Sequence, residues 1–103
     1  MAYKLIVSEY ADELLDHIIS YLLFHLKNRQ AAEHLLNGID HVYSRLEENP
    51  FQFPPCRDTY LAEKGYHEAI VPQMNYLIIF RISAHTVRIA GIFHQLEAYE
   101  NKL

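Results

Sequence analysis

Apolar and polar positions alternate in two distinct rhythms along this chain. "YKLIVS" (residues 3–8) is a short β-branched run that predicts a strand, closed by a serine suited to cap a helix. From Glu9 to about Lys27, apolar residues recur at Ala11, Leu14, Leu15, Ile18, Ile19, Leu22, Leu23 and Leu26. That i, i+3, i+4, i+7 spacing predicts a helix with one wide buried face. "KNRQ" breaks the pattern, and Asn28 is placed to cap a second helix, whose face is Ala32, Leu35, Leu36, Ile39, Val42, Tyr43 and Leu46. Asn49-Pro50 ends it, because proline cannot continue a helix and disfavours the α region before it. The short link between the two predicts an antiparallel helix hairpin.

The rhythm then shortens. "PFQFPPCRD" (50–58) is a proline-punctuated loop, and "YLAEKG" reads equally as a short strand or a turn closed by Gly65. Three strand candidates follow, "YHEAIV" (66–71), "NYLIIFRI" (75–82) and "HTVRIAGIFH" (85–94), separated by "PQM" and "SA", which suit antiparallel hairpins. The terminal "QLEAYENKL" permits a small helix. The order is β-α-α-β-β-β with a tail helix. It predicts one α+β domain over residues 1–103, the helix hairpin covering one face of a small, mainly antiparallel sheet and leaving the reverse face open.

Composition narrows the chemistry. Half of the 103 residues are apolar and about a fifth are charged, which predicts a soluble globular domain. No apolar run approaches the roughly 20 residues of a membrane span. The opening "MAYKLIVSEYADE" lacks the character of a signal peptide, so a cytoplasmic location is expected. The net charge of −4 disfavours a general nucleic-acid binder, which needs cations to replace counterions, and tilts the balance towards protein partners. Cys56 has no second cysteine to pair with; its neighbour Arg57 could lower its pKa, but no histidine is placed by sequence to make it a nucleophile. Among the seven histidines no pair has the i, i+4 spacing of a zinc-binding helix, and His34 and His41 read as solvated surface, so neither metal nor other cofactor is expected.

Several stretches carry a family resemblance: "YKLIVSEYADELLDHIISYL" at the front, "EENPFQFP" closing the second helix, "EKGYHEAIVPQMNYLIIFRI", and "IFHQLEAYENKL" at the end. In combination they resemble the RelE/ParE superfamily of toxins from type II toxin–antitoxin, or plasmid stabilisation, modules. The resemblance implies a growth-inhibiting toxin held in check by a cognate antitoxin. Its target would be DNA gyrase if the chain is ParE-like, or ribosome-bound mRNA if it is a RelE-like endonuclease.

An RNA-cleaving version would use His94 as acid or base, Arg81 and Arg88 for phosphate charge, and Tyr99 for positioning, with His67 as a further candidate. Departures from the nuclease pattern argue against that version. Leu77 stands where a cation would help, and Gln95 and Glu97 follow His94, where a carboxylate would repel phosphate. The ParE-like reading is therefore preferred, with the nuclease and a catalytically inert binding module or homodimer of the same fold as alternatives.

Strand alternation gives these residues faces. If "SA" is a tight loop, residue pairs across the last hairpin sum to about 169, give or take one register step. Arg81 then opposes Arg88 on the reverse face with Leu77, Ile79, Ile92 and His94, while Tyr76, Ile78, Phe80, Val87, Ile89 and Phe93 meet the helices. Opposed arginines repel. Either Glu68, expected on the same face beside Tyr66, pairs with Arg81, or the arginines form an anion site for nucleic-acid phosphate or an antitoxin carboxylate. A second feature is an aromatic stripe off the leucine face of the first helix: Tyr10, His17, Tyr21 and Phe24. Either the proline-rich loop covers it, or it receives a partner. In the second case Tyr10, Tyr21, Phe24 and Glu68 form the antitoxin-binding surface, where a segment would gain order on docking.

Overall fold

A single residue, Ser8, ends the first strand and starts the first helix. In the computed structural model, which describes residues 2–103, β1 spans Lys4–Val7 and α1 spans Glu9–Ser20. The Ser8 backbone is extended, and its hydroxyl oxygen accepts a hydrogen bond from the Ala11 N–H at 3.0 Å. This satisfies one of the donors that a helix start leaves open. The predicted helix then changes pitch: Tyr21–His25 winds as a π-helical turn, the Leu26 N–H donating to the Tyr21 carbonyl at 3.1 Å. Lys27, at φ 49°, turns the chain. Asn28 caps α2 (Arg29–Glu48) by accepting from the Ala31 N–H at 3.0 Å, and α2 stops before Asn49-Pro50 as its sequence requires.

"YLAEKG" resolves as a helical turn. Asp58 accepts from the Leu61 N–H at 3.0 Å and so caps α3 (Thr59–Glu63), which Gly65 leaves at φ +88°. Strands β2 (Tyr66–Ile70), β3 (Tyr76–Ser83) and β4 (Thr86–His94) then complete a sheet in the order β1-β4-β3-β2. β1 runs parallel to β4, and the other pairings are antiparallel. This is the expected α+β architecture, with α3 added before the meander and the tail helix reduced to a 3-10 turn at Tyr99–Asn101.

Two apolar cores flank the sheet. On one face Ile78, Phe80, Val87, Ile89 and Ile92 meet Ala11 and Leu22 and the α2 stripe Leu35, Ile39, Val42 and Leu46. On the reverse face Leu77, Ile79 and Phe93 are covered by Cys56, Leu61 and Tyr99. Part of the reverse face is therefore plugged by α3, the proline-rich segment and the tail, contrary to the expectation of an open side. The same segment closes the outer edge of β2: the Glu68 N–H donates to the Pro54 carbonyl and the Cys56 N–H to the Tyr66 carbonyl, each at 3.1 Å.

The expected pairing of Arg81 with Arg88 holds, as does the sum of 169 from Phe80↔Ile89 to Ser83↔Thr86. Beyond that point a bulge intervenes. Ile79 pairs with Gly91, which leaves Ala90 as an extra residue in β4. Side chains alternate strictly along a strand, so one extra residue reverses every face after it. Ile92 accordingly joins the helix-side core and Phe93 the reverse-side core, each opposite to its predicted face.

Gly91 makes room for that reversal, because a Cβ there would lie 2.4 Å from Cε2 of the fully buried Phe93 ring. Gly91→Ala should lower stability by about 1–3 kcal/mol, the usual range for over-packing a closed core. Chemical denaturation measures it, and an unchanged midpoint would show that the ring is free to move.

Candidate functional site

β1 ends where it pairs with Ile89, so the last residues of β4 have no strand on that side, and α1 packs there instead. Ser8 joins the two elements: its N–H donates to the Ile89 carbonyl at 3.1 Å and its hydroxyl to the Ala90 carbonyl at 3.4 Å. Between α1 and the end of β4 lies a cleft of about 270 Å³, lined by Leu14, His17, Ile18, Tyr21, Tyr76, Ile92, His94 and Glu97. A broader open groove of about 580 Å³ continues from it past His17 and Tyr21 to Phe24 and His25.

His94 is fixed within the cleft. Tyr76, its cross-strand partner, meets its ring edge-on with centroids 5.3 Å apart. The Leu96 N–H donates to His94 Nδ1 at 3.1 Å, which places the proton of the neutral ring on Nε2. The His94 N–H donates to Glu97 Oε1 at 2.9 Å, and Lys102 Nζ lies 2.6 Å from Glu97 Oε2. Burial works against ionisation of Glu97, but the bonds from Lys102 and His94 prevail and hold its carboxyl below the usual range. Burial, with Glu97 and Tyr21 nearby, pushes the Tyr76 phenol up.

The residues proposed for RNA cleavage do not converge. The Ala90 bulge turns His94 to the helix side, whereas Arg81 and Arg88 stand exposed on the reverse face. Tyr99 is also on the reverse side, buried and stacked on Phe93 at 5.7 Å and 22°. Burial, then the neighbouring Glu68 carboxylate, raises its pKa, so the phenol keeps its proton at neutral pH. His67 stacks on Phe80 at 5.5 Å on the helix side, with Nδ1 3.3 Å from the Phe53 carbonyl.

Glu68 is corrected in two respects. It is only 3% exposed, which removes it from any docking surface, and its partner is Arg57 rather than Arg81. Arg57 donates from its backbone N–H to Oε1 at 2.9 Å and from Nε to Oε2 at 3.0 Å, so the carboxylate anchors the loop before α3. Arg81 instead lies over the Tyr66 ring at 5.1 Å. Sequence reasoning missed Arg57 because the contact joins a loop to a strand with no periodic relation between them. Gly91, a glycine inside a strand, was the one available sign of the bulge.

The aromatic stripe remains accessible. Tyr21 is 49% and Phe24 74% exposed, and Tyr21 stacks on His25 at 5.4 Å. Tyr10, 39% exposed, approaches Phe93 at 6.4 Å. The proline-rich loop packs elsewhere, with Phe51 edge-on to Tyr3 and Phe53 against Phe80. Among the described residues no group of three or more His, Cys, Asp and Glu could hold a metal, and no helix is long and apolar enough to cross a membrane.

Residues 5–99 match the family model described as "ParE toxin of type II toxin-antitoxin system, parDE". No curated protein matches the sequence. Among solved structures, a chain of the chromosomal ParDE toxin–antitoxin system from P. aeruginosa superposes with a TM-score of 0.73 at 17% identity, covering 90% of this chain and 96% of its own. A chain of the toxin–antitoxin complex RelBE2 from Mycobacterium tuberculosis gives a TM-score of 0.60 at 17% identity, covering 94% and 95%. At these identities the likeness is one of fold.

Cys56 provides a direct check on the reverse-side core. Its thiol is buried and pushed up to about 12 by burial, then by Glu68 and Asp58, which outweighs any effect of Arg57 beside it. Iodoacetamide at pH 8 should leave the folded protein unmodified and label it promptly once denatured, as read by mass spectrometry. Fast labelling of the native chain would contradict this packing.

Proposed function

The chain belongs to the ParE toxin family of type II toxin–antitoxin systems, and on that premise we propose that it is a growth-inhibiting toxin, neutralised in the cytoplasm by a cognate antitoxin, that acts by inhibiting DNA gyrase. The observation that carries this reading over RNA cleavage is the separation of the candidate catalytic groups. Cleavage by the 2′-hydroxyl needs a base, an acid and a stabilising cation within hydrogen-bond reach of one phosphate. Here the imidazole of His94 and the guanidinium groups of Arg81 and Arg88 are divided by the sheet, and the Tyr99 phenol is occupied as a lid over Phe93. The endonuclease reading draws its support from the exposed arginines alone.

The antitoxin, in this reading, docks on α1. Tyr21 and Phe24 rim an open groove that continues into the His94 cleft, and large exposed aromatic side chains are the residues that anchor protein interfaces. An amphipathic helix or extended segment with apolar anchors fits such a surface, gaining order as it binds.

Two measurements test these points. Purified protein assayed side by side should block gyrase supercoiling and leave ribosome-bound mRNA intact; cleaved mRNA with unimpaired supercoiling would reverse the assignment. Tyr21→Asp combined with Phe24→Asp should abolish co-purification with the cognate antitoxin while circular dichroism stays native, since Phe24 is mostly and Tyr21 about half solvated and neither belongs to a core. Retained co-purification would exclude this docking face.

A further inference from the structure

The reverse face that α3 and the tail leave uncovered carries a row of cations. Arg88 lies between Ile6 on β1 and Arg81 on β3, and Arg81 lies between Arg88 and Tyr66 on β2. Lys4, two residues before Ile6, faces the same way. Lys4, Arg81 and Arg88 are all exposed, and Arg81, Ile82, Ser83 and Arg88 line a hollow of about 300 Å³.

Among the described residues the ion pairs are Arg29–Glu33, Arg57–Glu68 and Lys102–Glu97, so none neutralises Lys4, Arg81 or Arg88. Glu68, the nearest carboxylate by sequence pattern, is committed to Arg57. Directly opposed like charges destabilise a sheet. Here no carboxylate of an ion pair offsets the repulsion, Arg81 having only the Tyr66 ring beneath it, and guanidinium groups on directly opposed strand positions are well suited to bind carboxylate oxygens.

We propose that Lys4, Arg81 and Arg88 form the seat of an acidic polypeptide segment, supplied by the antitoxin and bound apart from the aromatic groove on α1. This rests on the toxin–antitoxin reading above. A protein ligand is favoured over nucleic acid by the charge of the chain as a whole. With 13 acidic residues against 9 basic ones, a long polyanion meets repulsion beyond the patch, whereas a short acidic stretch meets only the patch. An extended peptide sets same-side carboxylates about 6–7 Å apart. Flexible arginine side chains meet that spacing readily.

The test titrates the purified chain with hexaglutamate at low salt and, in parallel, with a long unstructured RNA. Hexaglutamate should bind and raise the Tm. Arg81→Gln with Arg88→Gln should weaken binding about tenfold or more, while the unliganded Tm is maintained or rises as the repulsion is relieved. Arg81→Lys with Arg88→Lys should bind at an intermediate level, because charge is kept and the fork is lost. Equal binding by the glutamine variant, or tighter binding of RNA than of hexaglutamate by the wild type, would overturn the proposal. Growth arrest on expression of the wild-type chain is scored separately: its absence would count against the toxin reading, and the peptide titration would still decide the seat.

Discussion

The hydrogen bonds that Ser8 makes to β4 organise this molecule more than any other contact. Its hydroxyl caps α1 and donates to the carbonyl of the bulged Ala90, so the start of the helix and the irregularity in the strand are one joint. Before the joint, β4 has β1 as a neighbour; after it, α1 packs there. The extra residue inverts the end of the strand, which brings His94 to the helix side and sends Phe93 to the other side as the platform for Tyr99. A cap and a bulge are each modest in energy, about 1 kcal/mol for a typical N-cap. Their effect on which groups can meet is decisive.

Electrostatics divides the molecule along the same sheet. Glu68 is fully used in fixing the loop before α3, and the arginines of the upper reverse face are left to solvent. On the helix side the polar groups Glu97, His94 and Tyr76 are held by local hydrogen bonding and aromatic contact beside an exposed aromatic groove. A cleavage site would require these sets to share one surface. The two sets stand instead on opposite sides of the sheet, as two separate surfaces of unlike chemistry.

Much of the fold was legible in the sequence because local rules dominate there. The leucine-rich periodicity of both helices, Ser8 and Asn28 as caps, and the Asn49-Pro50 stop all act within one or two turns of chain. The Arg81–Arg88 register followed from a short hairpin loop and held. Faces beyond Ala90 were not legible, since a bulge depends on what packs against the strand, here Ser8 and α1. "YLAEKG" lacked the length for periodicity, and its helical state is set by the Asp58 cap and by Leu61 entering the reverse-side core. The candidate site suffered most. Its residues were grouped by strand alternation, the one property that a single inserted residue inverts.

β1 offers a last consequence. It touches the sheet only through β4, and the Ser8–Ala90 contact joins residues 82 positions apart. Contacts so distant in sequence are made late, because the entropy of closing the intervening loop must be met before the pairing returns any stability. On the ribosome the first strand therefore waits, without any strand partner, until β4 has cleared the exit tunnel. A chain that lacks β4 has the helices and the β2–β3 hairpin but no strand to hold β1.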